Sequence, residues 1–266
     1  MKEMDIMDAI RARRSVRTFD GAELSSRDCA TLKEALERAS SPFKGRIFTS
    51  IYSPPGGEDV KVPSTYGVIK GARSFILVAI DTATEADSAL NAGFACEAAV
   101  LKAEAMGLGT CWLGGTFSRK DFAPAADIPE GFMLIAVIPV GRPADKTRFL
   151  EKMMRKVAGS DSRKPFAELF FEGKWGNPLS EESEWADALK AVRLAPSSTN
   201  SQPWRTVVDG RKVHFYYKPG IYAYLDMGIA LCHFSLTAGK PYQWRTDSTN
   251  APQSPKPFIY LGTASF

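Results

Sequence analysis

Two short segments gather the side chains that could bind or orient a small molecule. The first, RARRSVRTFD, places Arg13, Arg14 and Arg17 around Ser15. In an extended chain, period two puts Arg13, Ser15 and Arg17 on one face and turns Val16 toward the core. Guanidiniums flanking a hydroxyl match the fork geometry of a phosphate. The same cations would equally suit a helix C-terminus, where each is favoured by about one kcal/mol or less. The second segment, APSSTNSQPW at 195–204, sets Ser197, Ser198, Thr199, Asn200 and Gln202 between two prolines and closes on Trp204. Pro196 must end the helix-like run before it. A capped helix end with a surface turn and a ligand-facing polar loop both fit this composition.

A third segment, AMGLGTCWLGGTF at 105–117, ends an apolar helix at Gly107 or Gly109 and continues as a short strand to Gly114 and Gly115. Glycine caps a helix at little cost, and after a strand it lets backbone approach a flat ligand without a Cβ in the way. A dinucleotide fingerprint runs the other way, from strand into helix. The four cysteines, Cys29, Cys96, Cys111 and Cys232, are scattered without a CxxC pair, which points to free thiols and not to a disulfide framework or zinc site. Only His214 and His233 are present, and His233 lies in the apolar run MGIALCHFSL, so a histidine-rich metal centre is not expected.

The elements that must carry these segments come in two sets. LKEALERASSP at 32–42 is similar to LKAVRLAPSS at 189–198, and ALNAGFACEAAVLKAEA at 89–105 parallels YLDMGIALCHFSLTAG at 224–239, with Gly93 against Gly228 and Leu101 against Leu236 at one offset. Each apolar helix is followed by an expected strand ending in glycine, FMLIAVIPVG to Gly141 and PKPFIYLG to Gly262. Two copies of one α+β unit fit this order: a first half at 1–146, a connecting segment at 147–179 and a second half at 180–266. The loops YSPPGGEDVKVPS and TDSTNAPQSPKP are expected at comparable places in the halves.

A chain of 266 residues with 44% hydrophobic residues can bury a sizeable core. Neither a signal peptide nor a membrane-spanning run is evident, so a cytoplasmic location is expected. The net charge is +4. From Arg142 to Lys164, eight Lys or Arg face three Asp or Glu, alongside helix-spaced Phe149, Leu150, Met153, Met154 and Val157; this reads as a solvated helix face. No nucleic-acid-binding motif accompanies the charge, and neither nucleic acid nor membrane is expected as a partner.

Together RRSVR, APSSTNSQPW, the apolar helix leading into GLGTCWLGG and the later strand ending in glycine resemble the FMN-dependent nitroreductase family over most of the chain. The resemblance implies an α+β nitroreductase-like fold of two related halves, each with a β-sheet and a central apolar helix, forming an internal pseudo-dimer. The chain departs from the common pattern in one respect. The first half reads ASSPFKGRI where the polar loop would stand, lacking its Asn, Gln and Pro-Trp, and KPFAELFFEGKWGNP precedes the second half's helix where an RRSVR counterpart would stand. This is similar to the single-chain branch in which two units are fused, with one complete flavin site and one decayed one.

Carried over residue by residue, the resemblance implies that Arg13, Arg14, Ser15 and Arg17 lie along the ribityl phosphate and pyrimidine edge of FMN, with Arg17 suited to the charge that builds at N1/C2 on reduction. Pro196, Ser197, Ser198, Asn200 and Gln202 would pack on and hydrogen-bond the isoalloxazine from the other half. Leu113 and Gly114 would place backbone groups near N5, and Lys146 and Arg148 match a basic pair at the phosphate. It further implies a flavoprotein oxidoreductase using NADH or NADPH to reduce a nitroaromatic, quinone or related small molecule, with no essential acid–base side chain because the cofactor carries the chemistry. One FMN per chain and a monomer are expected. The alternatives are another flavin enzyme on the same fold, such as a reductive dehalogenase or a dehydrogenase of peptide-derived rings, and a non-catalytic FMN carrier or sensor.

Overall fold

The computed structural model describes residues 4–54, 62–144 and 162–266. The chain divides into two compact units, Met1–Asp161 and Ser162–Phe266. In the first, α1 (Ile6–Ala12) and α2 (Ser26–Arg38) precede strands β1 (Ile47–Tyr52) and β2 (Ser74–Asp81). The long helix α3 (Glu85–Ala105) follows, then β3 (Gly109–Thr110), α4 (Arg119–Ala126) and β4 (Phe132–Gly141). In the second, α5 (Phe166–Leu169) and β5 (Phe170–Glu172) precede α6 (Ala186–Leu194), β6 (Trp204–Asp209), β7 (Lys212–Tyr217), α7 (Ala223–Thr237), β8 (Gln243–Arg245) and β9 (Ile259–Ser265).

The two sheets share one plan. The first has the order β1-β2-β4-β3 and the second β6-β7-β9-β8, with β5 added outside β6. Every neighbouring pair is antiparallel except β5 with β6. Helix, two strands, helix, two strands therefore recurs, as expected of two related α+β halves. The central helices follow their composition: apolar residues circle most of α3 and α7, and both are buried along nearly their whole length. Sequence runs SFILVAID and LIAVIPVG bury every residue, because β2 and β4 are interior strands.

Three details differ from the sequence expectation. Strand β9 runs through Gly262 to Ser265; this glycine is required because a Cβ there would lie 2.3 Å from the Trp244 ring. The strand after α3 is interrupted: Thr110 pairs with Val140 and Leu113 with Val137, but the ladder lapses between them, opposite Pro139, which has no N–H to give. The two proline-rich loops are also not equivalent, since residues 53–73 join the first and second strands of their sheet and residues 246–258 join the third and fourth of theirs. Within residues 162–179 lie α5 and the parallel edge strand β5 of the second unit.

Candidate functional site

The arginine segment of the first unit is an extended spacer held on both sides. Arg13 caps α1, donating its N–H to Ala9 O at 2.9 Å, and the chain then straightens. Val16 donates to Thr110 O, Lys70 donates to Arg17 O and Phe19 donates to Lys70 O, all at 2.8 Å. Val16 and Phe19 turn into the core around Leu77, Leu113 and Phe122. Gly109 makes room for this: a Cβ on it would fall 2.6–2.9 Å from the Val16 side chain.

The four candidate residues here divide. Arg14 is exposed and its Nη1 donates to Arg11 O at 2.6 Å and Arg13 O at 2.8 Å, so it serves the helix C-terminus. Arg13 is only 6% exposed, and its Nε is buried with no hydrogen-bond partner among the described residues. Ser15 and Arg17 are half-buried beside it in sequence. Burial pushes the Glu104 carboxyl upward, while the Arg13 and Arg14 charges pull it back.

In the glycine-rich segment, Gly107 takes φ 76° just past α3, the left-handed position where glycine ends a helix. Leu113 exchanges both backbone hydrogen bonds with Val137 at 3.0 Å, so neither its N–H nor its C=O is offered to a ligand. Gly114, half-buried, follows with no backbone hydrogen bond among the described residues. Lys146 and Arg148, with the basic helix expected around them, lie outside the described residues. One feature had no signal in the sequence: Glu97, fully buried on α3, accepts the Trp112 indole N–H at 2.8 Å. A cavity of about 710 Å³ in this unit is lined on either side of Lys70, with Val62, Ile69 and Phe75 as apolar wall and Arg73 as its cation.

The polar loop of the second unit is held in a strained turn. Thr199, Asn200 and Gln202 have φ of 51°, 54° and 47°, left-handed values that non-glycine residues adopt at a cost. The side chains offset it. Ser197 Oγ accepts the Gln202 N–H at 3.0 Å. Gln202, 3% exposed, accepts the Lys164 N–H on Oε1 at 2.8 Å and donates Nε2 to Asn200 O at 3.2 Å. Asn200 Nδ2 donates to Ser162 O at 3.0 Å. These two amides thus brace the loop against residues 162–164, a partner segment that residue types and spacing do not reveal. Among the described residues the Ser198 hydroxyl makes no hydrogen bond, and the Ser198 N–H donates to Asp226 Oδ1 at 2.9 Å. Pro196 is half-buried at the start of the turn. Trp204 is fully buried, its indole nitrogen unpartnered among the described residues.

Elsewhere, His233 is buried with Nδ1 against Ala191 O at 2.9 Å, a structural role. No group of three metal-ligating side chains gathers among the described residues, and no helix there is long and apolar enough to cross a membrane.

Two α+β units of one plan, one bearing the arginine spacer and the other the braced polar loop, match a nitroreductase-like fold. Residues 5–238 match the family described as "Putative TM nitroreductase", and the chain belongs to that family. Among solved structures, a "putative nitroreductase" from Thermotoga maritima is 21% identical, with 99% of this chain and 94% of that chain covered and a TM-score of 0.62. At that identity the likeness is one of fold. A nitroreductase with bound FMN from Bacteroides fragilis is 19% identical over 53% of this chain and 90% of its own, with a TM-score of 0.43. The NADPH:FMN oxidoreductase of Vibrio harveyi, complexed with NAD+, is 20% identical over 53% and 69%, with a TM-score of 0.39. No curated protein matches the chain.

Proposed function

We propose that the protein is an FMN-dependent oxidoreductase that takes hydride from NADH or NADPH and delivers it to a nitroaromatic, quinone or related acceptor. The observation that carries this reading is Arg13: a guanidinium 6% exposed, with a buried Nε lacking any partner among the described residues, at the head of RRSVR. A buried N–H left without an acceptor is costly, and an oxyanion would supply one. The donor set of Arg13, Ser15 and Arg17 fits a phosphate monoester, so the residues present suit FMN.

In this reading Arg13 and Ser15 hold the phosphate, and Arg17 stabilises negative charge at the pyrimidine edge. The half-buried Gly114 offers its N–H, which Leu113, engaged with Val137, does not. Lys146 and Arg148 remain candidates for the phosphate from their sequence position alone. Ser198, whose hydroxyl makes no hydrogen bond among the described residues, is assigned to bond the ring and Pro196 to pack on it; Ser197, Asn200 and Gln202 act by keeping the loop in shape. FMN, when bound, supplies the hydride acceptance and donation, so no side chain of this protein needs to act as acid or base in that step. One FMN per chain and a monomer are the expected stoichiometry.

The test is the absorbance spectrum of the purified protein, its released flavin, and anaerobic addition of NADH and NADPH separately. A yellow protein bleached by one nicotinamide and reoxidised by a quinone or nitroaromatic is expected. Arg17→Ala should weaken FMN binding about ten- to a hundredfold, the worth of a charge-assisted hydrogen bond, and Ser15→Ala should weaken it less. A colourless protein that FMN cannot reconstitute overturns the reading. Bound FMN that neither nicotinamide reduces replaces it with a carrier or sensor.

A further inference from the structure

We propose that Asp226 is the positioning residue of the polar loop at 196–203: from the first turn of α7 it takes the Ser198 N–H on one oxygen and the Ser201 hydroxyl on the other, and so fixes the turn from which the loop meets its ligand. The role toward a ligand rests on the flavin reading above; the anchoring of the loop does not.

Asp226 is 4% exposed and has no ion pair among the described residues. Its two oxygens meet Ser198 N at 2.9 Å and Ser201 Oγ at 3.5 Å, on either side of the left-handed residues Thr199 and Asn200. These two bonds join the turn to α7, so the carboxylate ties the strained backbone to the rigid helix. The first unit also anchors a segment from the same helix position, with the bond reversed. The offset that pairs Gly93 with Gly228 pairs Asn91 with Asp226, and Asn91 Nδ2 donates to Gly45 O at 2.8 Å, holding the segment that follows α2. There the anchor is a neutral amide; here it is an acid.

The difference makes this anchor sensitive to protons. Burial raises the Asp226 carboxyl to about 7, with the Ser198 N–H and the Ser201 hydroxyl pulling the other way. Ionisable groups on the surrounding elements include Arg163 and Lys164 before α5, Asp187, Lys190 and Arg193 on α6, Arg205 on β6, Tyr217 on β7, Lys218 after it, and Tyr224, Cys232 and His233 on α7 itself; none of them is a cause of the Asp226 shift. Several bond to other groups: Arg163 to Leu194 O, Lys164 to Ser201 O, Arg193 to Lys164 O, Arg205 to Trp204 O, Tyr224 to Tyr217 and His233 to Ala191 O. Above the midpoint the Ser198 bond is charge-assisted; below it, the acceptor is a neutral acid and the bond weakens.

The experiment follows the Ser198 backbone amide by NMR in the full chain from about pH 5.5 to 8.5, in the wild type, Asp226→Asn and Asp226→Ala, and measures FMN affinity across the same range. The wild-type amide is expected to titrate with a midpoint near 7, and the asparagine variant to stay flat. FMN affinity should fall several-fold below the midpoint in the wild type, stay constant with pH in Asp226→Asn, and drop about tenfold or more in Asp226→Ala. A flat wild-type Ser198 amide, or an Asp226→Asn variant that titrates like the wild type, overturns the proposal. If Asp226→Ala does not fold, the asparagine comparison alone decides it. If Ser198 titrates as expected while no variant binds FMN, the anchor stands and the flavin reading falls.

Discussion

Gly109→Ala should loosen the arginine spacer without touching any of its polar side chains. The new methyl would lie 2.6 Å from Val16 Cγ2, 2.7 Å from Val16 Cβ and 2.9 Å from Val16 Cγ1, all closer than real Cβ contacts allow. Val16 cannot retreat freely, because its N–H is bonded to Thr110 O at 2.8 Å and its side chain packs on the Leu113–Phe122 core. Overpacking of this kind costs about 1–3 kcal/mol. Alanine returns about 0.4–1 kcal/mol by restricting the unfolded chain, since Gly109 is not among the residues at positive φ. The net local loss is therefore on the order of 1–2 kcal/mol. Hydrogen exchange at the residue 16 amide reads this local opening directly, without requiring the two units to unfold together. Val16→Ala removes both γ-methyls but leaves the 2.7 Å Cβ contact, so the double variant should recover part of the loss, with a coupling of about 1 kcal/mol. Effects that add within about 0.5 kcal/mol, or a Gly109→Ala protein that opens no more readily than the wild type, would refute the packing argument.

Two further outcomes follow from the titrating groups. Of the four cysteines, Cys29 alone is half-exposed; burial raises the Cys96 thiol, with the charge of Glu97 adding to the effect. A thiol reagent at about pH 8 should label one cysteine slowly in the native protein and four after denaturation; rapid native labelling of Cys96 would contradict its burial. Asp81 is held below its ordinary value by the Ala83 N–H and by Arg46, whose Nε lies at 2.8 Å. A depressed carboxyl stabilises the fold above its unfolded value near 3.8 and loses that contribution as pH falls through the folded value. The gap in melting temperature between wild type and Asp81→Asn should thus be constant around neutrality and close in acid; a gap that widens in acid would reverse the assignment.

Much of the fold was legible because its signals are local. Pro196 stops α6 at Leu194, glycine follows α3 at 107, and the apolar run from Phe132 to Gly141 is the strand β4. The repeat offset of the two central helices carried over into matching sheet orders. What escaped depends on residues far apart in sequence. Nothing in FAELFFE says that Phe170–Glu172 pairs in parallel with β6, because that strand is too short to show a period and its register is set by Thr206–Val208. The site was half visible in the same sense. The residue types of APSSTNSQPW announced a polar loop, but whether its amides face a ligand or the protein depends on Ser162 and Lys164, some forty positions away in the chain. Asp226 carried no motif of its own; only its neighbourhood marks it.

The left-handed turn at Thr199, Asn200 and Gln202 bears on the thermodynamics of any binding event at this loop. Its ordering is completed when the second unit folds, since the tie to Asp226 and the braces at Ser162 and Lys164 are internal to the protein. A ligand meeting it would have no chain to immobilise, so the binding entropy would carry little contribution from loop freezing and the heat-capacity change would track the ligand's own buried apolar surface.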